Sequence, residues 1–294
     1  MNYKSGVNKM KKILVLGSTG MAGHTITLYL KEQGYDVTAF STTPFNYCKN
    51  IVGNAFDTDF FSKMIIEGNY DVIINCIGLL NKVCDEFPSK AVYLNSYLPH
   101  YVCELTKNMK TKYIHMSTDC VFSGLTGPYY ENSFKDGETF YDRTKALGEV
   151  NDNKNLTFRN SIIGPDMNKN GIGLFNWFMK QSGEINGFGS VMWTGVTTLT
   201  LAKAMEKAIE EDLTGIYNLV NNTSISKYDM LLEFKKAFNK DVIIHRNDDL
   251  KLAKTLVNTR KDFTFEVPSY QTMINEMAEW VFNHKELYKH YFGE

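Results

Sequence analysis

At 294 residues the chain is long enough for one large α/β domain, or for a dinucleotide-binding domain carrying a smaller lobe. Apolar residues make up 43% and charged residues 22%, usage that argues against disordered, fibrous and coiled-coil classes. With 32 Lys and Arg against 33 Asp and Glu and no block of like charges, nothing suggests nucleic acid or a membrane surface as partner, and small-molecule chemistry is expected.

The N-terminal MNYKSGVNKMKK is polar and basic and runs straight into ILVLG, too short a stretch for the apolar part of a secretory signal. KILVLG reads as a strand, followed by a helix from 21 to about 33, the strand DVTAF and a helix over about 60–67. Next come the strand DVIINCIG, a helix over about 91–107, the strand KYIHMST, a helix over about 141–150 and the strand LTFRNSII. Continuous apolar strands separated by helices of this length predict a parallel sheet buried on both faces, the Rossmann-like, doubly wound α/β fold. From about Gly164 the sequence turns to Gly, Asn and aromatic residues, which predicts a loop-rich region around a short amphipathic helix. The helix LTLAKAMEKAIEE and the strand GIYNLV (215–220) are expected to return to the main sheet. The expected division is a dinucleotide-binding domain over 1–165, with a return strand and helix near 197–221, and a smaller, interleaved C-terminal substrate lobe within 166–294.

Cys48, Cys76, Cys84, Cys103 and Cys120 are odd in number and form no CxxC pair, so neither a disulfide framework nor a metal site is indicated, and a reducing cytoplasm is expected. No apolar run approaches the roughly 18 residues of a membrane helix.

Gly17, Gly20 and Gly23 stand in GxxGxxG spacing between the first strand and the first helix. There Gly17 permits a tight turn, Gly20 lets backbone approach a pyrophosphate, and Gly23 lets the helix pack closely, with the helix N-terminus facing the anion. Thr19 and Met21 of the same turn join them as expected cofactor contacts; three turn or packing glycines is the alternative. The second strand ends in AFSTTPF, without the carboxylate that would hold an NAD ribose. Ser41 and Thr42 tolerate a 2′-phosphate, so NADP(H) is favoured over NAD(H), although the arginine that usually accompanies that phosphate is missing.

Tyr141 and Lys145 in YDRTK lie four apart, on one face of a helix. A phenol with a pKa near 10 is a poor acid or base at pH 7, and an ammonium held beside it is expected to bring that pKa down. A surface Tyr and Lys on an amphipathic helix is the competing reading. Thr118, delivered by KYIHMST to the carboxyl end of a strand, would join Tyr141 in hydrogen-bonding a ketone oxygen that becomes negative as hydride arrives. Ser117 reads equally as a cap.

GSTGMAG, STDCVFSG, YDRTKALGE and RNSIIGP, in this order and spacing, resemble the extended short-chain dehydrogenases/reductases, and among them the dTDP-4-dehydrorhamnose reductases and related nucleotide-sugar ketoreductases. The likeness covers roughly residues 12–165, and later only patches such as WTGVTTLTLAKAM. It implies Thr118, Tyr141 and Lys145 as catalytic residues, with Lys145 also on the cofactor. It places Asn75, Cys76 and Gly78 on the nicotinamide side and has Asn95 hold the loop behind the site. Thr118, Asp119, the Asn160–Ser161 step of RNSIIGP, Trp193 and Arg260 are the expected substrate contacts, with Phe175 and Trp177 weighed as stacking or core residues. The dehydratases of the superfamily carry Asp-Glu after the catalytic Thr; here Asp119 is followed by Cys120, which disfavours dehydration. Cys120 stands where GDP-fucose synthase has a working cysteine, but its histidine partner is missing, so Cys120 reads as a buried structural thiol. His115 and His24 read as packing residues.

The resemblance implies NADPH-dependent reduction of a nucleotide-activated 4-keto-6-deoxy sugar for cell-surface polysaccharide, with the nucleotide sugar as partner and a homodimer as one oligomeric option. The alternatives are an NAD-dependent epimerase or epimerase-reductase of the same fold, or a non-catalytic NADP-binding regulatory subunit like the β subunit of methionine adenosyltransferase.

Overall fold

The computed structural model describes residues 10–293; most of the basic N-terminal stretch, residues 1–9, lies outside the described residues. The first half comprises β1 (Lys12–Leu16), α1 (Met21–Glu32), β2 (Asp36–Ser41), β3 (Lys49–Val52), α2 (Thr58–Gly68), β4 (Val72–Asn75), α3 (Lys82–Glu86) and α4 (Pro88–Ala91). A π-helical turn at Val92–Tyr97 then leads to α5 (Leu98–Leu105), β5 (Lys112–Met116), α6 (Phe140–Leu147), β6 (Leu156–Arg159) and β7 (Ser161–Ile163). The remainder is α7 (Leu174–Met179), β8 (Gly183–Phe188), β9 (Val191–Trp193), β10 (Gly195–Thr197), α8 (Thr198–Glu210), β11 (Gly215–Asn218), β12 (Ile225–Ser226), α9 (Lys227–Ala237), β13 (Val242–Asn247), β14 (Leu252–Ala253) and α10 (Tyr270–Asn283).

Seven parallel strands form one sheet in the order β11-β6-β5-β4-β1-β2-β3, the doubly wound arrangement. Strand alternation explains why the sheet needs helices on both faces. Ile13 and Val15 point into a core shared with Ile26 of α1 and Leu201 and Met205 of α8, whereas Leu14 and Leu16 point into one shared with Phe61 of α2 and Val102 of α5. Helix starts are set by short polar side chains. Asp57, Thr197, Ser226 and Ser269 each accept a backbone N–H at the N-cap, and Thr139 forms a full capping box with Asp142 at the start of α6.

Three features differ from the sequence reading. The run LTFRNSII is not one strand: β6 stays in the main sheet, and beyond Asn160 the chain leaves it so that β7 pairs with β10. Gly195 makes that departure possible, because a Cβ there would stand 2.4 Å from the Ser161 carbonyl oxygen. The edge strand β3 went unread because KNIV is short and only partly buried. The loop-rich region contains small sheets, β8 with β13 and β12-β9-β14, whose strands run from two to six residues.

The π-helical turn carries Asn95 and lies against the end of α6 so closely that a Cβ on Gly148 would stand 1.8 Å from the Asn95 carbonyl oxygen. Gly148 has an ordinary helical φ of −84°, so its lack of a side chain serves this approach and not a special backbone conformation. Gly148→Ala is expected to push α6 off the π turn and lower stability by about 1–3 kcal/mol, the usual range for overpacking. Urea denaturation checks this; an unchanged midpoint and slope would show that the helix end yields freely.

Candidate active site

A cleft of about 540 Å³ opens at the carboxyl ends of β1, β4, β5 and β6, between the sheet and the Ile172–Gly173 segment. A larger hollow, about 760 Å³ around Lys11, Tyr35, Glu206 and Glu210, lies at the amino ends of the strands and brings none of the expected site residues together. In open α/β sheets ligands bind at the carboxyl edge, so chemistry and not size picks the site.

The glycine turn forms one wall. Gly17 has a φ of +79°, and its N–H and that of Ser18 both donate to the Phe40 carbonyl at 2.8 and 3.2 Å, which ties the turn to β2. A Cβ on Gly23 would stand 2.1 Å from the Gly17 carbonyl oxygen, so only glycine lets α1 start this close to β1. Gly20 caps α1 without a side-chain hydrogen bond, which leaves the first N–H groups of the helix to face an anion. Met21 lines the cleft, while Thr19 sits half-buried in the turn. His24 is spent on holding this turn. Its Nδ1 lies 3.0 Å from the Gly20 carbonyl and its Nε2 2.8 Å from Tyr288 Oη, and burial lowers its pKa to about 4, so the ring is neutral.

Cys76 and Gly78 line the next stretch of wall, but Asn75 and Asn95 do not reach the cleft. Both are fully buried and work on the loop from behind, the place the resemblance gives to Asn95 and not the nicotinamide side it gives to Asn75. Asn75 Oδ1 accepts from Ile77 N at 3.0 Å; Asn95 accepts from Leu79 N at 2.9 Å and donates to Leu79 O at 3.0 Å and to Thr144 Oγ1 at 3.2 Å. Amides suit this task because they satisfy a donor and an acceptor of one backbone unit at once. Ser41 is buried at the end of β2 with its hydroxyl donating to Thr43 O at 2.7 Å, and it is not part of the cleft wall.

The structure brings Thr118, Tyr141 and Lys145 together in the cleft. Tyr141 and Lys145 sit one turn apart on α6, and Thr118 caps the short turn Asp119–Val121 by accepting from Cys120 N at 3.2 Å. Lys145 Nζ donates to Met116 O at 2.6 Å, and burial lowers its pKa to about 8. The Tyr141 phenol is pushed up from its ordinary 10, first by burial and then by Cys120, with Asp119 and Cys84 adding to it and a hydrogen bond from Thr118 opposing. This corrects the expectation that Lys145 brings the phenol down: the ammonium is turned to the Met116 carbonyl, and desolvation of Tyr141 dominates. Burial also raises the Asp119 carboxyl, which accepts from Thr118 Oγ1 at 3.1 Å, and raises the Cys120 thiol to about 12, keeping it protonated and inert.

Ser117 borders the cleft but caps no helix. Its hydroxyl donates to Glu149 Oε1 at 2.6 Å, and Glu149 forms a buried two-point pair with Arg159 at 2.8 and 2.7 Å. The arginine, over the Phe122 ring at 5.0 Å, holds the Glu149 carboxyl below its ordinary range against the cost of burial. This network fixes β5 and β6 below the cleft, and the sequence reading missed it. Its signal is Glu149, four residues after Lys145, with Arg159 ten residues further on.

Asn160 and Ser161 line the cleft, and Asn160 Oδ1 is buried without a hydrogen-bond partner among the described residues. Trp193 and Arg260, expected as substrate contacts, do not belong to the cleft. Trp193 is buried in the lobe core against Tyr270 at 5.8 Å, and Arg260 spends its guanidinium on Asp262 and on the carbonyls of Thr214 and Ile216 at 2.6 and 3.0 Å. Phe175 is core and Trp177 is exposed away from the cleft. Among the described residues no group of three His, Cys, Asp or Glu is placed to hold a metal, and no helix is long and apolar enough to cross a membrane.

A seven-stranded parallel sheet with a glycine turn after β1 and a Thr-Tyr-Lys set at its carboxyl edge defines the dinucleotide-binding class of the extended short-chain dehydrogenases. Within it, the chain belongs to the RmlD substrate binding domain family, whose profile matches residues 10–285. The spore coat polysaccharide biosynthesis protein SpsK of Bacillus subtilis (strain 168) is 30% identical over 145 residues, 48% of this chain and 47% of that protein, so the chain spans about half the length of this curated relative. Methionine adenosyltransferase 2 subunit beta of Xenopus laevis is 24% identical over 246 residues, 78% of this chain and 72% of its own. The solved dTDP-4-dehydrorhamnose reductase of Bacillus anthracis str. Ames, in complex with NADP, superposes with a TM-score of 0.76 at 18% identity over 91% of this chain and 98% of that one, which shows a shared fold.

The buried lysine gives a pH-dependent stability with a definite sign. Between about 8 and 10.5 the unfolded chain holds the Lys145 proton and the folded chain has released it, so stability rises with pH through that window and the cost of burying the charge is felt in full below it. Wild type is expected to gain on the order of 3 kcal/mol over Lys145→Met between neutral pH and pH of about 10. Parallel curves in urea titrations across that range would contradict it.

Proposed function

We propose that this chain uses NADPH to reduce the keto group of a nucleotide-activated 4-keto-6-deoxy sugar in the cytoplasm, for cell-surface polysaccharide. One observation carries the reading: a single cleft joins an uncapped helix N-terminus, suited to a pyrophosphate, with the Thr118, Tyr141 and Lys145 side chains. The dinucleotide fits the residues present, because the Gly17–Gly23 approach leaves backbone N–H groups without a side-chain cap at the start of α1. No carboxylate stands in residues 41–47 to repel a 2′-phosphate, which supports NADPH. The identity to SpsK supports a place in polysaccharide biosynthesis.

When bound, the nicotinamide supplies hydride. The rest falls to the chain. Thr118 Oγ1, its hydroxyl turned from Asp119 into the cleft, donates to the ketone oxygen and orients it, and Tyr141 Oη donates from the other side and delivers its proton as that oxygen becomes negative. The raised pKa of Tyr141 suits this direction, since an acid must hold its proton until the oxygen demands it. Lys145 holds the ribose and steadies the phenolate left behind. Dehydration and thiol-based epimerisation lack support, because no glutamate follows Asp119 and the Cys120 thiol is kept protonated.

The likeness to methionine adenosyltransferase 2 subunit beta, over 78% of this chain, favours a second reading as an NADP-binding regulatory subunit. Turnover separates the two. Supplied with NADPH and a panel of UDP-, dTDP- and GDP-linked 4-keto-6-deoxy sugars, the protein should oxidise NADPH with one nucleotide class. Tyr141→Phe should then lower kcat by about 10²–10⁴ and leave NADPH binding nearly intact. Retention of more than about a tenth of kcat with chemistry limiting would remove Tyr141 as the acid. No turnover together with stoichiometric capture of an unrelated enzyme would establish the regulatory reading.

Calorimetric titration of the wild type should show NADPH binding more tightly than NADH by at least about tenfold, or roughly 1.4 kcal/mol. Equal or tighter NADH binding would mean that a residue outside 41–47 supplies the ribose contact.

A further inference from the structure

Behind Lys145 a chain of buried polar groups continues away from the cleft, and nothing in the mechanism above uses it. Lys145 Nζ lies 3.5 Å from His115 Nε2. On the far side of the ring, His115 Nδ1 lies 3.4 Å from Tyr113 Oη and 3.3 Å from Asn75 Nδ2, and Asn75 Nδ2 donates to Tyr113 Oη at 2.8 Å. Asn75, Tyr113 and His115 are all fully buried, so no water competes for these groups from outside. A histidine in an apolar strand is ordinarily a packing residue, but this one has a polar partner at each nitrogen.

The directions of these hydrogen bonds follow from one fixed point. Asn75 Oδ1 accepts from Ile77 N at 3.0 Å, which settles the amide orientation and turns its N–H₂ towards Tyr113 and His115. Nδ1 therefore faces one donor, Asn75 Nδ2, and one group able to accept, Tyr113 Oη. With the ring proton on Nδ1 it donates to Tyr113 Oη, and Nε2 presents its lone pair to Lys145; with the proton on Nε2 it would point at an ammonium. Two of the three Lys145 N–H groups are thereby taken on the strand side, by Met116 O and His115 Nε2, and the third is left for the cleft.

We infer that His115 is a positioning residue for the catalytic lysine: held in its Nδ1–H form by Tyr113, it accepts from the Lys145 ammonium, sustains its charge and turns its remaining N–H towards the ligand. The inference rests on the reading of Lys145 as a catalytic group. Burial and the Lys145 charge together hold His115 well below its ordinary range, so the ring stays neutral and free to accept. The other titratable groups acting on Lys145 are Glu149, beyond α6, Cys76 at the end of β4 and Cys84 on α3; His100 on α5 is the further group acting on His115. None of these lies in the Tyr113–His115–Lys145 chain, so substitutions along that chain isolate its effect.

The test reads Lys145 directly and turnover separately. Titration of ¹³Cε-labelled lysine by NMR, with the Lys145 signal assigned by its loss in Lys145→Met, reports the ammonium whether or not a substrate is found. His115→Leu should move the Lys145 midpoint down by about one pH unit, as expected for loss of one hydrogen bond to a charged group. Tyr113→Phe, which removes the phenol oxygen that holds the ring proton at Nδ1, should move it the same way by less, and His115→Gln, which keeps an acceptor, should restore it. In turnover, His115→Leu should lower kcat about tenfold, shift the alkaline limb of the pH profile down with the midpoint, and be rescued by His115→Gln. An unmoved Lys145 midpoint in folded His115→Leu and Tyr113→Phe proteins overturns the inference. A moved midpoint in a protein that turns over no keto sugar upholds the coupling and counts against the reductase reading instead.

Discussion

The carbonyl oxygen of Gly17 occupies the place where a side chain on Gly23 would have to begin, 2.1 Å from the position of its Cβ, and the rest of the site depends on that contact. It lets α1 rise directly from the end of β1 with its amino end bare. The same turn is fastened to β2 through the Phe40 carbonyl and to α1 through His24, so its backbone N–H groups are presented before any ligand arrives. Because the sheet is parallel, the ends of β4, β5 and β6 come out on the same side as that turn. The glycine turn and the Thr118, Tyr141 and Lys145 side chains are thus placed in one cleft by strand direction alone.

Desolvation does most of the electrostatic work within that cleft, and it acts oppositely on acids and bases. It favours the protonated forms of Tyr141, Asp119 and Cys120 and loosens the proton on Lys145. Where the fold needs a charge to persist in the dry interior, it supplies a partner, as Arg159 does for Glu149. The contrast separates structure from chemistry. Glu149 and Arg159 neutralise each other beneath the cleft, while Tyr141 and Lys145 stand in it with their protons poised.

Much of this was legible in the sequence because it is periodic or spaced. Apolar runs alternating with helices marked the parallel sheet, the three glycines marked the turn, and the four-residue step from Tyr141 to Lys145 marked one helix face. What the sequence hid was mostly a matter of direction and partners. LTFRNSII reads as one strand because every residue in it suits a strand, and the break at Asn160 comes from pairing with a distant segment at Gly195. Asn75 was placed at the right strand end but on the wrong side of the loop, since spacing does not say which way an amide points. Trp193 and Arg260 suit stacking and diphosphate pairing, yet their neighbours in space, Tyr270 and Asp262, had already taken them. The fall of the Tyr141 pKa was expected from the nearby ammonium and is absent because burial outweighs it.

The hydrogen bond from Tyr288 to His24 joins residues 264 positions apart, near the two ends of the described residues. Trp280 Nε1 shares the same phenol oxygen at 3.1 Å, so the lock on the glycine turn draws on the last helix and on the segment beyond it. The turn at 17–23 is therefore secured only once the segment around Tyr288 has folded back against α1. Contacts of such separation carry a large loop-closure cost before they return any stability, and folds rich in them form slowly. The glycine turn is thus locked late in folding, after the strands beside it have paired, by a contact that no local segment can supply.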